Sequence, residues 1–215
     1  ATTGTITPSA ATVNDSSSSA MTSNYSISYA TGVLTINKAG LIASISSCSN
    51  KTYDGSTSAS CTISLATPKS GDTVTASGTC TFADKNKGNA KTVTCTGITL
   101  AGANAGNYSL SNTSASKTSA ASITARAITI KAKDQTITYG SSITTGTAQV
   151  TISSGSLASG DSLVGITLTP STTAAATGTI TPSAATINDS SSAMTSNYSI
   201  TYATGVLTIN KATCT

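Results

Sequence analysis

Residues 178–212 read GTITPSAATINDSSSAMTSNYSITYATGVLTINKA, and residues 4–39 read GTITPSAATVNDSSSSAMTSNYSISYATGVLTINKA. The copies differ at Val13/Ile187, at Ser28/Thr201 and by one serine in the polar run. Near-verbatim self-similarity at this separation marks a tandem array, and it constrains the fold more than any other feature of the chain. Whatever unit these residues build, the chain builds it more than once.

A fainter repeat runs inside the first. KTYDG at residues 51–55 is answered by ITYG at 137–140, SGDT at 70–73 by SGDS at 159–162, and NYSL at 107–110 by NYSI at 197–200. Three landmarks in one order at nearly constant spacing define two related modules, residues 40–127 and 128–212. Residues 1–39 are then the second half of another module, without the Tyr-Gly start and the Ser-Gly-Asp turn. Residues 213–215 read as the start of a next repeat. The chain is accordingly expected to be an excerpt of a polymer. The missing strands of residues 1–39 are expected to come from outside, from preceding residues or a neighbouring copy. Cys214 is expected to find its partner in a following repeat or an adjacent chain.

The modules read as β structure. IleThrIleLys at 128–131, LeuThrIleAsn at 207–210, CysThrIleSerLeu at 61–65 and ValThrCysThr at 93–96 alternate apolar and polar residues, which puts one side of each strand in a core. No segment holds a 3.6-residue period for more than a turn. Charged residues are only 8% of the chain, against about 25% in ordinary domains. Disordered chains pair low hydrophobicity with high charge, whereas 37% of these residues are hydrophobic. The expected fold is all-β, a series of small immunoglobulin-like sandwiches in a rod, with β-grasp-like modules as the alternative. The joints, NKAGLI at 37–42 and ARAI at 125–128, carry no Gly/Ser linker, so a stiff rod is expected.

Composition excludes several functions. The net charge of +4 is spread thinly and Arg126 is the only arginine, so no basic face for nucleic acid is expected. No apolar run approaches the ~20 residues of a membrane span. There is no histidine, and all seven acids are aspartates, scattered without a D-x-D-x-D run. Neither a metal site nor an acid–base set for catalysis is expected, and no cofactor.

Two constellations stand out. Pairing Cys80 with Cys95 also pairs Phe82 with Val93 and Asp84 with Lys91, around a turn at 86–89, so one register matches three kinds of cross-strand contact. Cys48 and Cys61 flank the TYDG turn in a similar way. Four cysteines allow three connectivities, of which Cys48–Cys61 with Cys80–Cys95 is favoured. Tyr25, Tyr108 and Tyr198 share a slot after a tight turn and before a late strand. An immunoglobulin-like sandwich places a tyrosine corner there, its hydroxyl bonded to upstream backbone.

Residues 51–55 (KTYDG), 81–86 (TFADKN), 97–100 (GITL) and 105–108 (AGNY) resemble the YDG domain across residues 40–127. Residues 139–141 (YGS), 159–161 (SGD), 196–198 (SNY) and 205–209 (GVLTI) resemble the MBG domain of the YGX type across residues 128–212. Residues 1–39 look like the C-terminal half of a further MBG-like module. The resemblance implies a structural stalk or fibre segment of a large extracellular bacterial surface protein, often adhesin-like, without catalytic residues. Its expected partners are neighbouring repeats or adjacent copies, with a glycan or surface ligand elsewhere in the parent. A glycan- or surface-binding module is the alternative. The four cysteines occupy positions usually apolar or small in the YDG pattern, which suggests covalent bracing.

Overall fold

The computed structural model describes residues 2–214. Its strands in chain order are β1 (Thr2–Ile6), β2 (Gly32–Ile36), β3 (Ala39–Leu41), β4 (Ala43–Cys48), β5 (Lys51–Thr52), β6 (Ser58–Ala59), β7 (Cys61–Leu65), β8 (Thr75–Phe82), β9 (Gly88–Ala101), β10 (Tyr108–Leu110) and β11 (Ala115–Thr124). They continue as β12 (Arg126–Ala132), β13 (Gln135–Thr138), β14 (Val150–Ser154), β15 (Ser162–Pro170), β16 (Thr177–Asn188), β17 (Tyr198–Ala203) and β18 (Gly205–Asn210). The protein is all-β. Among the described residues the helical elements are three-residue 3-10 turns, so the helix that a β-grasp lays across its sheet does not occur there.

The module from β12 to β18 has two sheets, in the orders β14-β12-β17 and β13-β18-β16-β15. The preceding module repeats this plan. Its β4 pairs with β7 and its β3 with β10, and its second sheet runs β5-β11-β9-β8-β6. In both modules the opening strand lies between an antiparallel and a parallel neighbour, and a short second strand joins the last strand in parallel. This order differs from the immunoglobulin grouping of strands A, B, E and D against C, F and G. The last two strands, β17 and β18, lie in different sheets. Gly205 allows that crossing, because a Cβ there would stand 2.6 Å from the carbonyl oxygens of Ala132 and Lys133.

Alternation sets the core. Ile128, Ile130 and Ala132 of β12 are buried, and so are Ile180 and Ile187 of β16 and Leu207 and Ile209 of β18. The intervening Thr129, Lys131, Thr208 and Asn210 lie toward the surface. Each fully buried Ile or Leu contributes about 1.5–3 kcal/mol relative to exposure.

Residues 2–38 use the same sequence with a different outcome. β1 and β2 pair in the register of β16 and β18, with Ile6 opposite Gly32 as Ile180 is opposite Gly205. Local hydrogen bonds repeat as well. Ala11 N–H donates to the Tyr29 hydroxyl at 2.8 Å, as Ala185 N–H does to Tyr202 at 2.9 Å. Yet Ile6, Leu34 and Ile36 are 53%, 41% and 57% exposed, where Ile180, Leu207 and Ile209 are 0%, 0% and 6%. The half-module is an open two-stranded sheet with its core side uncovered. Tyr25, expected as a buried corner, is 61% exposed, because its equivalent Tyr198 is covered by strands for which residues 2–38 have no counterpart.

Candidate functional site

The densest set of long-range polar contacts is the joint between the two complete modules. Tyr53 follows the edge strand β5, and its N–H donates to Thr124 O at 2.8 Å. Asp54 shapes the turn beyond it, accepting from Ser56 N at 2.9 Å and from Lys51 Nζ at 2.8 Å. Gly55 has φ +82°, and a Cβ there would lie 3.1 Å from Ser159 O of the next module. The Tyr-Asp-Gly turn is thus formed by local bonds, and its glycine lies against the neighbour.

Tyr53 itself is fully buried. Its hydroxyl donates to Asp161 Oδ2 at 3.0 Å and lies 3.3 Å from Met194 Sδ. Tyr198 donates to the same carboxylate oxygen at 2.7 Å and accepts from Ala158 N–H at 2.8 Å. The two rings meet edge to face with centroids 5.5 Å apart. Burial, then the bond to Asp161, pushes the Tyr53 phenol up to about 12, and the same causes in the same order raise Tyr198.

Three further contacts close the joint. Lys85 Nζ and Asp189 Oδ2 form an ion pair at 2.6 Å, and this bond, with the Ser191 and Ser192 amides, holds the Asp189 carboxyl well below the usual range. Asn197, 1% exposed, accepts from Lys87 N–H at 2.8 Å and donates to Asn86 Oδ1 at 3.0 Å. Arg126, the first residue of β12, donates to Ser156 O at 2.6 Å and reaches Tyr53 O at 3.4 Å. Ring contact, ion pair and buried amide thus all cross the joint between the two modules.

Residues 37–116 match the YDG domain model and residues 128–208 match the MBG domain (YGX type) model. The chain carries a YDG domain followed by an MBG domain. No curated protein and no solved structure matches it. In these terms the YDG domain supplies a tyrosine plug, Tyr53, and the MBG domain the receptor, Asp161 with Tyr198.

The YDG domain has a receptor of its own at its other end. Tyr108 donates to Asp72 Oδ2 at 2.6 Å and accepts from Lys69 N–H at 3.0 Å. The bond to Asp72 raises its phenol. The MBG domain likewise has a second plug. Tyr139 donates its N–H to Asn210 O at 2.8 Å, is 57% exposed, and precedes Gly140, φ +92°, with open space around it.

The expectation of buried tyrosines bonded to upstream backbone holds for Tyr108 and Tyr198 and fails for Tyr25. Their hydroxyls accept from the backbone N–H groups of Lys69 and Ala158, 39 and 40 positions back, and each also donates to an aspartate, which makes them tethers between distant loops. Sequence reasoning treated Asp72 and Asp161 as turn residues. Their N–H groups do close turns onto Lys69 and Ala158, while their carboxylates hold the tyrosines. The shared Asp-to-Tyr order of the two modules was the available signal.

Four of the five cysteines lie in the YDG domain. Cys48–Cys61 joins β4 to β7 and Cys80–Cys95 joins β8 to β9, at directly opposed positions of each ladder. Phe82 opposes Val93, and Lys91 pairs with Asp84 at 2.7 Å. The sulfurs of Cys61, Cys80 and Cys95 lie within 4.8 Å of one another, but each is held in a disulfide and offers no thiolate to a metal. Cys214 is exposed and free.

Proposed function

We propose that this chain is a structural repeat segment of an extracellular bacterial fibre or adhesin stalk, without catalysis, in which a buried tyrosine locks each domain to the next. The observation that carries this reading is Tyr53, fully buried at the joint with its hydroxyl on Asp161 of the following domain. A joint built this way transmits force and orientation through packed side chains instead of through a linker. The two disulfides suit an oxidising compartment. Among the described residues no helix is long and apolar enough to cross a membrane. With no histidine in the chain, and with both hydroxyls at the joint committed to Asp161, nothing there is poised to shuttle protons.

The test is NMR relaxation of the full chain. The YDG and MBG domains are expected to tumble as one body in the wild type and to gain independent motion in Tyr53→Ala. Independent tumbling in the wild type would overturn the reading.

A further inference from the structure

Both disulfides of the YDG domain close the loops that reach the MBG domain. Cys48–Cys61 closes residues 49–60, which carry Tyr53 to Asp161 and Gly55 to Ser159. Cys80–Cys95 closes residues 81–94, which carry Lys85 to Asp189, and Asn86 and Lys87 to Asn197. The bridges belong to different sheets, the first joining β4 to β7 and the second β8 to β9. They meet across the core, because the sulfurs of Cys61, Cys80 and Cys95 lie within 4.8 Å of one another.

Their access to solvent is unequal. Cys80 and Cys95 are buried, whereas Cys48 and Cys61 are only partly so. A thiolate attacks a disulfide only where it can reach a sulfur, so an external thiol meets the Cys48–Cys61 bridge and not the inner one. Cys61 is placed to pass the attack on. It lies two residues beyond Ala59, and Ala59 opposes Cys80 in the pairing of β6 with β8. Once released from Cys48, Cys61 can bring its sulfur against Cys80 by a change of side-chain rotamer.

We propose that Cys48–Cys61 is the entry point through which Cys80–Cys95 is reduced, with Cys61 as the sulfur that carries the exchange inward. A dithiol reductant first opens Cys48–Cys61 and departs as a cyclic disulfide, leaving two protein thiols. The Cys61 thiolate then attacks Cys80 Sγ. A Cys61–Cys80 bond forms, the Cys80–Cys95 bond breaks, and its electron pair leaves on Cys95, which takes up a proton. A second dithiol attacks the new bridge at Cys61, its more accessible end, and frees Cys80. Its own second thiol then closes and releases Cys61. Two dithiols are oxidised and four protein thiols appear. The exchanged pairing is transient, because Cys80 and Cys95 directly oppose each other on their ladder, so alkylation still meets Cys48 and Cys61 first. The exchange stands on the sulfur positions and goes beyond the fibre reading without resting on it. Its consequence is that one reducing event near the surface loosens both loops of the joint.

The experiment uses the full chain with Cys214→Ser, which removes the exposed thiol. It is treated with dithiothreitol, quenched at intervals with acid to protonate the thiolates, and its bridges are mapped by mass spectrometry. A peptide pair linked through Cys61 and Cys80 is expected as an intermediate. In the same background, Cys48→Ala keeps the Cys61 thiol and Cys48→Ala/Cys61→Ala does not, while both lack the outer bridge. Cys80–Cys95 should be reduced at least 10-fold faster in the first variant. Absence of the Cys61–Cys80 link in the chain that retains both bridges overturns the proposal, and this arm does not depend on either variant folding. Equal reduction rates in the two folded variants also overturn it, since Cys80–Cys95 would then open without Cys61. A Cys61–Cys95 link in place of Cys61–Cys80 overturns the assignment of Cys80 as the attacked sulfur.

Discussion

The ring of Tyr53 meets the ring of Tyr198 edge to face, at an interplanar angle of 76°, and both hydroxyls converge on one oxygen of Asp161. One tyrosine comes from each domain, so the carboxylate reads out whether the joint is assembled. Tyr198 and Asp161 are bonded by the MBG domain alone. Tyr53 completes the cluster only when the YDG domain is docked, which makes it the residue to change first.

Tyr53→Phe keeps the ring contact and removes a hydrogen bond to a charged group, at a cost of about 1.5–3 kcal/mol. Tyr53→Ala also removes the ring from a fully buried position and should cost about 3–5 kcal/mol. Urea titration of the full chain checks both values. Equal losses in the two variants would show that the ring contributes nothing at the joint.

The joint should also limit the pH range of stability at both ends. The Asp189 carboxyl is depressed by Lys85, so its contribution is complete above the unfolded value of about 3.9 and is lost as pH falls below it. The Tyr53 phenol is raised to about 12, so its contribution is complete below about pH 10 and is lost as pH rises toward the folded value. A pH series of melting temperatures should show a plateau between the two limbs. Asp189→Asn should flatten the acid limb and Tyr53→Phe should reduce the alkaline one.

What could be read from the sequence divides by range. The Cys80/Cys95 register was legible because a hairpin writes its pairing as a local symmetry about its turn, and Phe82 with Val93 repeats it. The all-β character was legible from period-two runs such as 128–131. The strand order was not, since β12 finds β17 some seventy residues away and nothing local encodes that choice. The joint was hidden for the same reason. Tyr53 and Asp161 sit in motifs that each look like an ordinary turn, and only the folded chain shows that one turn is inserted beside the other.

The two disulfides should respond differently to reductant. Cys80 and Cys95 are 7% and 0% exposed, while Cys48 and Cys61 are only partly buried. Limited reduction followed by alkylation and peptide mapping should label Cys48 and Cys61 first. Loss of either bridge by paired Cys→Ser substitution should cost about 3 kcal/mol in the YDG domain. Appearance of a Cys61–Cys80 crosslink before reduction would contradict the pairing.

The strongest internal control is the repeated sequence GVLTIN. Leu34 and Leu207 occupy the same position in it, and each lies opposite the glycine of the same GTI triplet, Gly4 or Gly178. One is 41% exposed and the other 0%. Local propensity, neighbours and register are therefore held constant, and only the strands from β12 to β15 distinguish the sites. Leu207→Ala should cost about 2–5 kcal/mol through lost transfer energy and a cavity. Leu34→Ala should change stability by less than about 0.5 kcal/mol, as surface substitutions do. Thermal denaturation of the two variants measures the difference directly. If Leu34→Ala costs as much as Leu207→Ala, residues 2–38 are covered in solution without any added partner, and the open half-module is not the form the chain adopts there.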